Sequence, residues 1–216
     1  SPEEIAGWNI DIDRDGRKVW TQSRASFDYD ALVLATGSYA ARPAIDGARL
    51  DGCFVYRTID DLEAIESFVK NRSAELGRPV RGTVVGGGLL GLEAAGALQG
   101  LGADCTVIHS GTHLLSAQID RSGGEVLGRL IRARGIGVRC ESRTTRIAPT
   151  ATGQVAALEF PDGSYEEADV VIFTVGVRPN DALAREAGID SHAHGGVLID
   201  DACATADPFV YAIGEV

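Results

Sequence analysis

Hydrophobic positions along the chain fall into short apolar runs that alternate with segments of helical period. From residue 59 onward the pattern predicts helices at 59–75, 89–98 and 120–133. They alternate with predicted strands at 81–85, at 104–109 and around Val138. The apolar stretch at 169–176 predicts a further buried strand. Buried strands that alternate with helices are typical of an α/β fold with a parallel sheet.

Other segments alternate hydrophobic and polar residues with a period of two, which predicts antiparallel structure. Residues 144–165 predict a small meander with a turn at Pro161-Asp162-Gly163. Near the start, Trp8, Ile10 and Ile12 precede a turn, and the chain returns at residues 19–20, so we expect a two-stranded ribbon. Such a ribbon is marginally stable alone and must pack on something else.

The turn between the predicted strand at 81–85 and the helix at 89–98 is the most informative feature. Gly86, Gly88 and Gly91 occupy the glycine positions of a G-x-G-x-x-G turn. The first glycine allows the tight bend, the second lets a pyrophosphate approach the backbone, and the third lets helix and strand pack closely. The first-turn amides and the helix dipole also favour phosphate. We predict a dinucleotide site at Gly86, Gly87, Gly88, Leu89, Leu90 and Gly91; the alternative is a glycine-rich corner that binds nothing.

Two buried strands resemble each other across this turn. Residues 30–37 and 169–176 share an acidic start, an apolar middle and a glycine seven positions later. The similarity predicts two related dinucleotide-binding lobes, although buried strands can also match by chance.

Composition excludes several classes of function. The chain has 216 residues, 44% of them hydrophobic, and a formal net charge of −11 without a basic run. This balance supports a substantial core and argues against nucleic acid or an anionic membrane as partner. The sequence has no apolar run long enough to span a bilayer and no signal peptide, so we expect a cytoplasmic protein.

Cysteines and histidines offer no metal or catalytic site. The cysteines are dispersed without a C-x-x-C pair, which predicts reduced thiols rather than a zinc site or a redox dithiol; they are Cys53, Cys105, Cys140 and Cys203. His192 and His194 lie in a polar, glycine-flanked segment, where a solvated loop is the better interpretation. No Ser-His-Asp grouping is recognisable, and we nominate no catalytic residue.

Three segments together resemble the flavoprotein reductases of the pyridine nucleotide–disulfide oxidoreductase type, which have two dinucleotide-binding domains. They are residues 29–38, with an Ala-Thr-Gly turn ending at Gly37, the glycine turn with its downstream Glu93, and residues 205–215, which end in Gly214-Glu215. Finer detail at 55–62 and 107–109 resembles the flavin-containing region of the assimilatory NAD(P)H nitrite reductase large subunit. Rubredoxin and ferredoxin reductases carry variants of the same segments.

The resemblance implies a Rossmann-like three-layer NAD(P)H-binding domain at 48–180, with fragments of an FAD-binding lobe at 1–47 and 181–216. It places the flavin near Thr36, Gly37, Gly214 and Glu215. It places the nicotinamide near Glu93, Val175 and Gly176. The alternative for Glu93 is a glutamate that is merely stabilised by the helix dipole, and the alternative for Glu215 is a solvated carboxylate.

Two departures from the family pattern change the expected cofactors. No second glycine turn precedes Ser1 and the chain stops at Val216, so we expect FAD in the full-length protein but weak or absent binding in this fragment. The acidic residue that usually holds the adenosine ribose is His109, about 20 residues past the glycines. Histidine can hydrogen-bond a ribose hydroxyl or, when protonated, attract a 2′-phosphate. No arginine follows it, which favours NADH slightly over NADPH.

The implied chemistry is hydride transfer from NAD(P)H to FAD. Electrons would then pass to a downstream iron–sulfur and sirohaem domain, as in nitrite reductases, or to an electron-carrier protein. Three hypotheses remain open: the electron-entry segment of a nitrite reductase, a stand-alone NADH-dependent rubredoxin, ferredoxin or oxygen reductase, and a truncated module that binds nucleotide without turnover.

Overall fold

The computed structural model describes residues 10–216, which form two compact units. The first unit combines residues 10–40 with 177–216, and the second comprises 41–176. Trp8, with the start of the expected ribbon, lies outside the described residues.

The boundaries differ slightly from those expected at 47/48 and 180/181. Residues 41–47 belong to the second unit because Ile45 packs into its core, and because the amide of Ile147 donates to the carbonyl of Asp46 at 2.9 Å. Arg146 also pairs with the Asp46 carboxylate at 3.2 Å.

The helices are α1 (Ile59–Leu76), α2 (Leu89–Gly100), α3 (Arg121–Ala133) and α4 (Ala182–Glu186). The strands are β1 (Asp11–Asp13), β2 (Lys18–Trp20), β3 (Ser26–Asp28), β4 (Leu32–Leu34), β5 (Ser38–Ala40), β6 (Cys53–Val55), β7 (Arg81–Val85), β8 (Asp104–Ile108), β9 (Gly137–Arg139), β10 (Arg146–Pro149), β11 (Val155–Glu159), β12 (Tyr165–Glu167), β13 (Val170–Phe173), β14 (Val177–Pro179) and β15 (Val210–Ala212). No helix within residues 10–216 is both long and apolar enough to cross a membrane.

The second unit has three layers around a parallel sheet of order β6-β13-β7-β8-β9. Because neighbouring side chains on a strand point to opposite faces, each central strand serves two cores. Val170 and Ile172 of β13 pack with α1 and α2, whereas Val171 and Phe173 pack beneath the antiparallel meander β10-β11-β12. These four side chains are at most 1% exposed. The predicted α/β fold with a parallel sheet is confirmed.

The first unit contains smaller sheets. Strands β1, β2 and β3 form an antiparallel sheet, and β4 and β15 pair in parallel. A second pair, β5 with β14, is antiparallel. A small core of Leu34, Ala184 and Val210 joins the parallel pair to α4.

Candidate functional site

The glycine turn follows β7 directly and opens into α2. Gly86 has a φ of +129°, which an L side chain rarely adopts, and its amide donates to the carbonyl of Ile108 at 2.9 Å. Its neighbour across the sheet is Thr174, whose hydroxyl lies 3.2 Å from the carbonyl oxygens of Val85 and Gly86. A Cβ at Gly86 would lie 2.4 Å from the carbonyl oxygen of Thr174. The end of β13 therefore fixes the bend at the end of β7.

Gly91 allows α2 to start against the strand end. A Cβ at Gly91 would lie only 1.9 Å from the carbonyl oxygen of Gly86 and 2.9 Å from the hydroxyl oxygen of Thr174. This contact is the close helix–strand packing that the third glycine of the motif provides.

Gly88 differs from these two glycines because it faces open space. A Cβ built on Gly88 meets nothing within 4 Å. Its φ of −85° and ψ of −173° are extended values that any residue adopts, so the backbone itself does not require glycine. Gly88 is the N-cap of α2 and makes no side-chain cap hydrogen bond. The first-turn amides, including those of Leu89 and Leu90, therefore have no side-chain cap, and the Leu89 side chain is 60% exposed.

Gly87 lies between these positions and is tied to the segment that follows β8. Its amide donates to Nδ1 of His109 at 3.1 Å, and its carbonyl accepts from the amide of Leu115 at 2.9 Å. Burial, and secondarily the nearby His113 side chain, lower the pKa of His109 below its ordinary value. The neutral imidazole is thus favoured, which weakens the sequence-based idea of a protonated His109 that attracts a 2′-phosphate.

The remaining residues expected at the nicotinamide lie in the same unit. Glu93 is exposed on the second turn of α2. Val175 is 43% exposed just after β13, and Gly176 has a φ of +107° with its carbonyl bonded to the amide of Ala41 at 2.9 Å. A positive φ at Gly176 turns the chain sharply at the carboxyl end of a parallel strand, where such sheets bind ligands.

The residues that were expected to contact the flavin lie in the first unit. The Ser38 hydroxyl donates to Oε2 of Glu215 at 2.8 Å, so Glu215 is exposed but held by a hydrogen bond. The Thr36 hydroxyl donates to the carbonyl of Asn180 at 2.6 Å, and the Asn180 side-chain amide donates back to the carbonyl of Thr36 at 2.9 Å. Gly37 and Gly214 both have positive φ, at +66° and +83°.

Sequence reasoning missed Thr174, Leu115 and Asn180 as parts of these arrangements. Their roles depend on partners far along the chain: Thr174 contacts Gly86, and Leu115 contacts Gly87. A hydroxyl residue placed at the end of a buried strand was the one available signal for Thr174.

Thiols and metal ligands add no second site. All four cysteines are free, and burial raises the pKa of Cys53 to about 11 and of Cys105 to about 12, so neither is a ready thiolate. No group of His, Cys, Asp or Glu in the described part of the chain has the arrangement of a metal site. A concavity of about 580 Å³ is lined by residues 42–50, none of which belongs to the predicted sites.

Comparison with known proteins identifies the family. A family model described as pyridine nucleotide-disulphide oxidoreductase matches residues 5–216. The chain is 44% identical over 206 residues to the nitrite reductase (NADH) large subunit of Escherichia coli (strain K12), which covers 95% of this chain and 24% of that protein. It is 35% identical over 206 residues to the biphenyl dioxygenase system ferredoxin–NAD(+) reductase component of Paraburkholderia xenovorans (strain LB400), covering 95% and 48%.

Solved structures are similar as well. A ferredoxin reductase from Rhodopseudomonas palustris superposes with a TM-score of 0.84 at 28% sequence identity, covering 95% of this chain and 48% of that one. The chain thus spans about a quarter to a half of the length of the proteins that it matches.

Proposed function

The chain belongs to the pyridine nucleotide-disulphide oxidoreductase family, and we propose that it is a segment of an NAD(P)H-dependent FAD flavoprotein oxidoreductase. In this proposal the second unit binds NAD(P)H, and the first unit contributes part of the FAD site. The reduced nicotinamide supplies a hydride and the flavin accepts it.

The observation that carries the proposal is the open volume at Gly88. Three neighbouring glycines are crowded by protein atoms, whereas a Cβ at Gly88 meets nothing within 4 Å. The space lies at the uncapped N-terminus of α2, where backbone amides and the helix dipole attract phosphate. Glycine costs conformational entropy, so its presence at an extended, unhindered position points to a ligand that needs the room.

The other nominated residues of the second unit have roles in binding NAD(P)H. Gly86, Gly87, Leu89, Leu90 and Gly91 hold the turn and present its amides to the pyrophosphate. The family resemblance assigns Glu93 to orient the nicotinamide carboxamide. Val175 and Gly176 border the nicotinamide ring.

In the first unit, Thr36 and Gly37 with Gly214 border the flavin, and Glu215 binds its ribityl hydroxyls. Ser38 restrains the Glu215 carboxylate for that contact, since the two side chains are 2.8 Å apart. A carboxylate that is already held loses less side-chain entropy when it binds a hydroxyl.

Electron entry for nitrite reduction is the role that the chain's similarity favours. Identity to the nitrite reductase large subunit is 44%, against 35% to the ferredoxin–NAD(+) reductase component over the same length of chain. We propose that electrons leave FAD for an iron–sulfur and sirohaem domain. The second candidate is a ferredoxin reductase, supported by the TM-score of 0.84 to a solved example. The coding sequence beyond Val216 separates them: cysteine-rich segments with cluster spacing support the first, and an early stop the second.

Gly88→Val is the sharpest test of dinucleotide binding. Because φ and ψ at Gly88 are extended, valine fits the backbone, and its branched side chain fills the proposed pyrophosphate space. We expect the affinity for NADH to fall by more than about a hundredfold, or about 2.7 kcal/mol. Calorimetry and the fluorescence of bound NADH measure the loss.

Gly96→Val is the matched control. Gly96 lies on the same helix, and a Cβ there also meets nothing within 4 Å, but it is two turns from the glycine turn. We expect it to bind NADH as the parent chain does. Equal affinities in all three proteins would refute the proposed binding mode.

A further inference from the structure

The His109 imidazole contacts the glycine turn directly. Its Nδ1 accepts the Gly87 amide at 3.1 Å, and a Cβ at Gly87 would lie 2.8 Å from the imidazole Cγ. The carbonyl of Gly87 is tied to the amide of Leu115, six residues after His109. Both backbone groups of Gly87 are therefore fastened to the segment that begins with His109.

This hydrogen bond specifies the protonation state of the ring. Nδ1 accepts only when it carries no proton, so the neutral ring holds its proton on Nε2. Protonation would place an N–H of the imidazolium against the N–H of Gly87. Nε2 is buried and makes no hydrogen bond of ordinary geometry to any residue in 10–216, and a Cβ at Gly111 would lie 2.6 Å from it. Protonation of Nδ1 therefore removes the acceptor of the Gly87 amide.

We propose that His109 is a positioning residue that holds the glycine turn in its dinucleotide-binding form only while its imidazole is neutral. Acid therefore releases the nucleotide from this site. The inference rests on the proposed function, since it concerns the same dinucleotide site.

The surroundings of His109 lower its pKa, chiefly through burial. On its own segment, burial first and the His113 side chain second lower the pKa of His109, whereas the backbone carbonyl of His113 raises it and is the weaker influence. On the neighbouring strand β9, the Arg139 guanidinium stacks 3.9 Å from the Phe160 ring and bonds to Ser142 and Ser164. The turn at Cys140 and Glu141 follows, and Glu141 is exposed.

The sign of the pH effect follows from linkage. A histidine whose folded-state pKa is lowered stays neutral above that pKa, and the nucleotide binds the neutral form. As the pH falls through the folded-state pKa, below the usual value of about 6.5, the competent fraction shrinks. The apparent affinity for the nucleotide then approaches a tenfold loss for each pH unit.

The test compares the 216-residue chain with His109→Asn. Oδ1 of asparagine occupies about the place of Nδ1 and accepts the same amide, but it does not titrate. NAD⁺ is the probe because it is stable in acid, and calorimetry at several values between about pH 4.5 and 8 measures its dissociation constant over a range that extends well below the usual histidine pKa. We expect the parent to lose affinity toward acid by at least about threefold and the asparagine variant to keep a flat profile.

His113→Gln is the control for the second histidine. The His113 Nε2 lies 3.1 Å from the carbonyl of Ile119, and a glutamine amide can keep that bond. We expect this variant to retain the acid loss, with its midpoint moved to slightly higher pH because a nearby charge is removed. Nitrogen NMR of the ring supplies a readout that does not depend on the nucleotide, and we expect an unprotonated Nδ1 at neutral pH.

The outcomes are distinguishable. Binding of NAD⁺ with a flat pH profile in the parent, or a protonated Nδ1 at neutral pH, overturns the positioning role and leaves the proposed function intact. An acid loss that persists in His109→Asn also overturns it. Failure of the parent to bind either NAD⁺ or NADP⁺ at any pH overturns the proposed function itself, and the positioning role with it.

Discussion

The Thr174 hydroxyl joins two strands at the point where the glycine turn begins. It lies 3.2 Å from the carbonyl oxygens of Val85 and Gly86, and the Thr174 amide also donates to Val85 at 2.9 Å. Thr174→Val keeps the shape and removes the donor. We expect a loss of about 1 kcal/mol in the free energy of unfolding, measured by urea denaturation, because the Gly86 carbonyl oxygen loses the hydroxyl donor, whereas the Val85 oxygen keeps the Thr174 amide. NADH affinity should fall as the turn loosens.

Thr174→Ser is the matched control, since serine retains the hydroxyl. We expect it to bind NADH like the parent. If the valine variant matched the parent in both stability and affinity, the hydroxyl would have no part in positioning the turn.

Single residues were predictable where spacing alone identifies them. Gly86, Gly88 and Gly91 follow a fixed interval after a strand, so the sequence located the turn without knowledge of its partners. Local spacing did not reveal that Thr174 braces Gly86 or that His109 accepts the Gly87 amide, because these contacts join separate strands of the sheet. Whether the nominated residues bind nucleotide stays a prediction.

At the scale of elements, Asp169 fastens the start of β13 to the start of β7. Its side chain is 6% exposed and accepts two hydrogen bonds from Arg78, at 2.7 and 3.0 Å, and one from the Arg81 amide at 2.7 Å. Burial opposes ionisation, but these hydrogen bonds outweigh it and lower the pKa of Asp169 to about 2. Stability from this carboxylate is therefore present above its unfolded pKa and is lost as the pH falls toward 2.

Asp169→Asn tests this fastening. We expect the variant to lose about 2 to 3 kcal/mol of unfolding free energy at neutral pH, because two arginines lose a buried anionic partner. Its stability should also depend less on pH between about 4 and 2. Glu167→Gln is the control, because Glu167 pairs with the same Arg81 but is 57% exposed, and we expect a change below about 1 kcal/mol. Equal losses in both variants would contradict the assigned role.

The longer elements were predictable from the sequence, whereas several short ones were not. The helix at 59–75 was expected, and α1 begins with a capping box in which Thr58 and Asp61 exchange hydrogen bonds. Strands β5, β6 and β14 contain three residues each and escaped prediction, whereas β1 and β2, which are as short, were expected because a turn joins them in a hairpin. Helix α4, with five residues, is too short to display the helical period and also escaped prediction.

At the scale of the whole molecule, the two units differ in the number of strands in their parallel sheets. The second unit has five parallel strands, whereas within residues 10–216 the parallel sheet of the first unit consists of β4 and β15 alone. Val33, in the middle of β4, is 52% exposed. A two-stranded parallel sheet offers little apolar surface for a large cofactor.

We therefore expect the purified 216-residue chain to be nearly colourless, with FAD far below one per chain. The flavin absorption band of the native protein, and the flavin released on denaturation, measure the content. Binding of NAD⁺ by the same preparation controls for correct folding of the second unit. A flavin content near one per chain would contradict the expectation and show that the first unit is sufficient.

The extended backbone at Gly88 has a consequence for divergent relatives. Since alanine or serine suits that conformation as well as glycine does, a lineage that abandons its coenzyme can replace this residue without harming its fold, while Gly86 and Gly91 must persist for steric reasons. Retention of the outer two glycines with loss of the middle one would then mark a descendant that has kept the scaffold and given up redox chemistry.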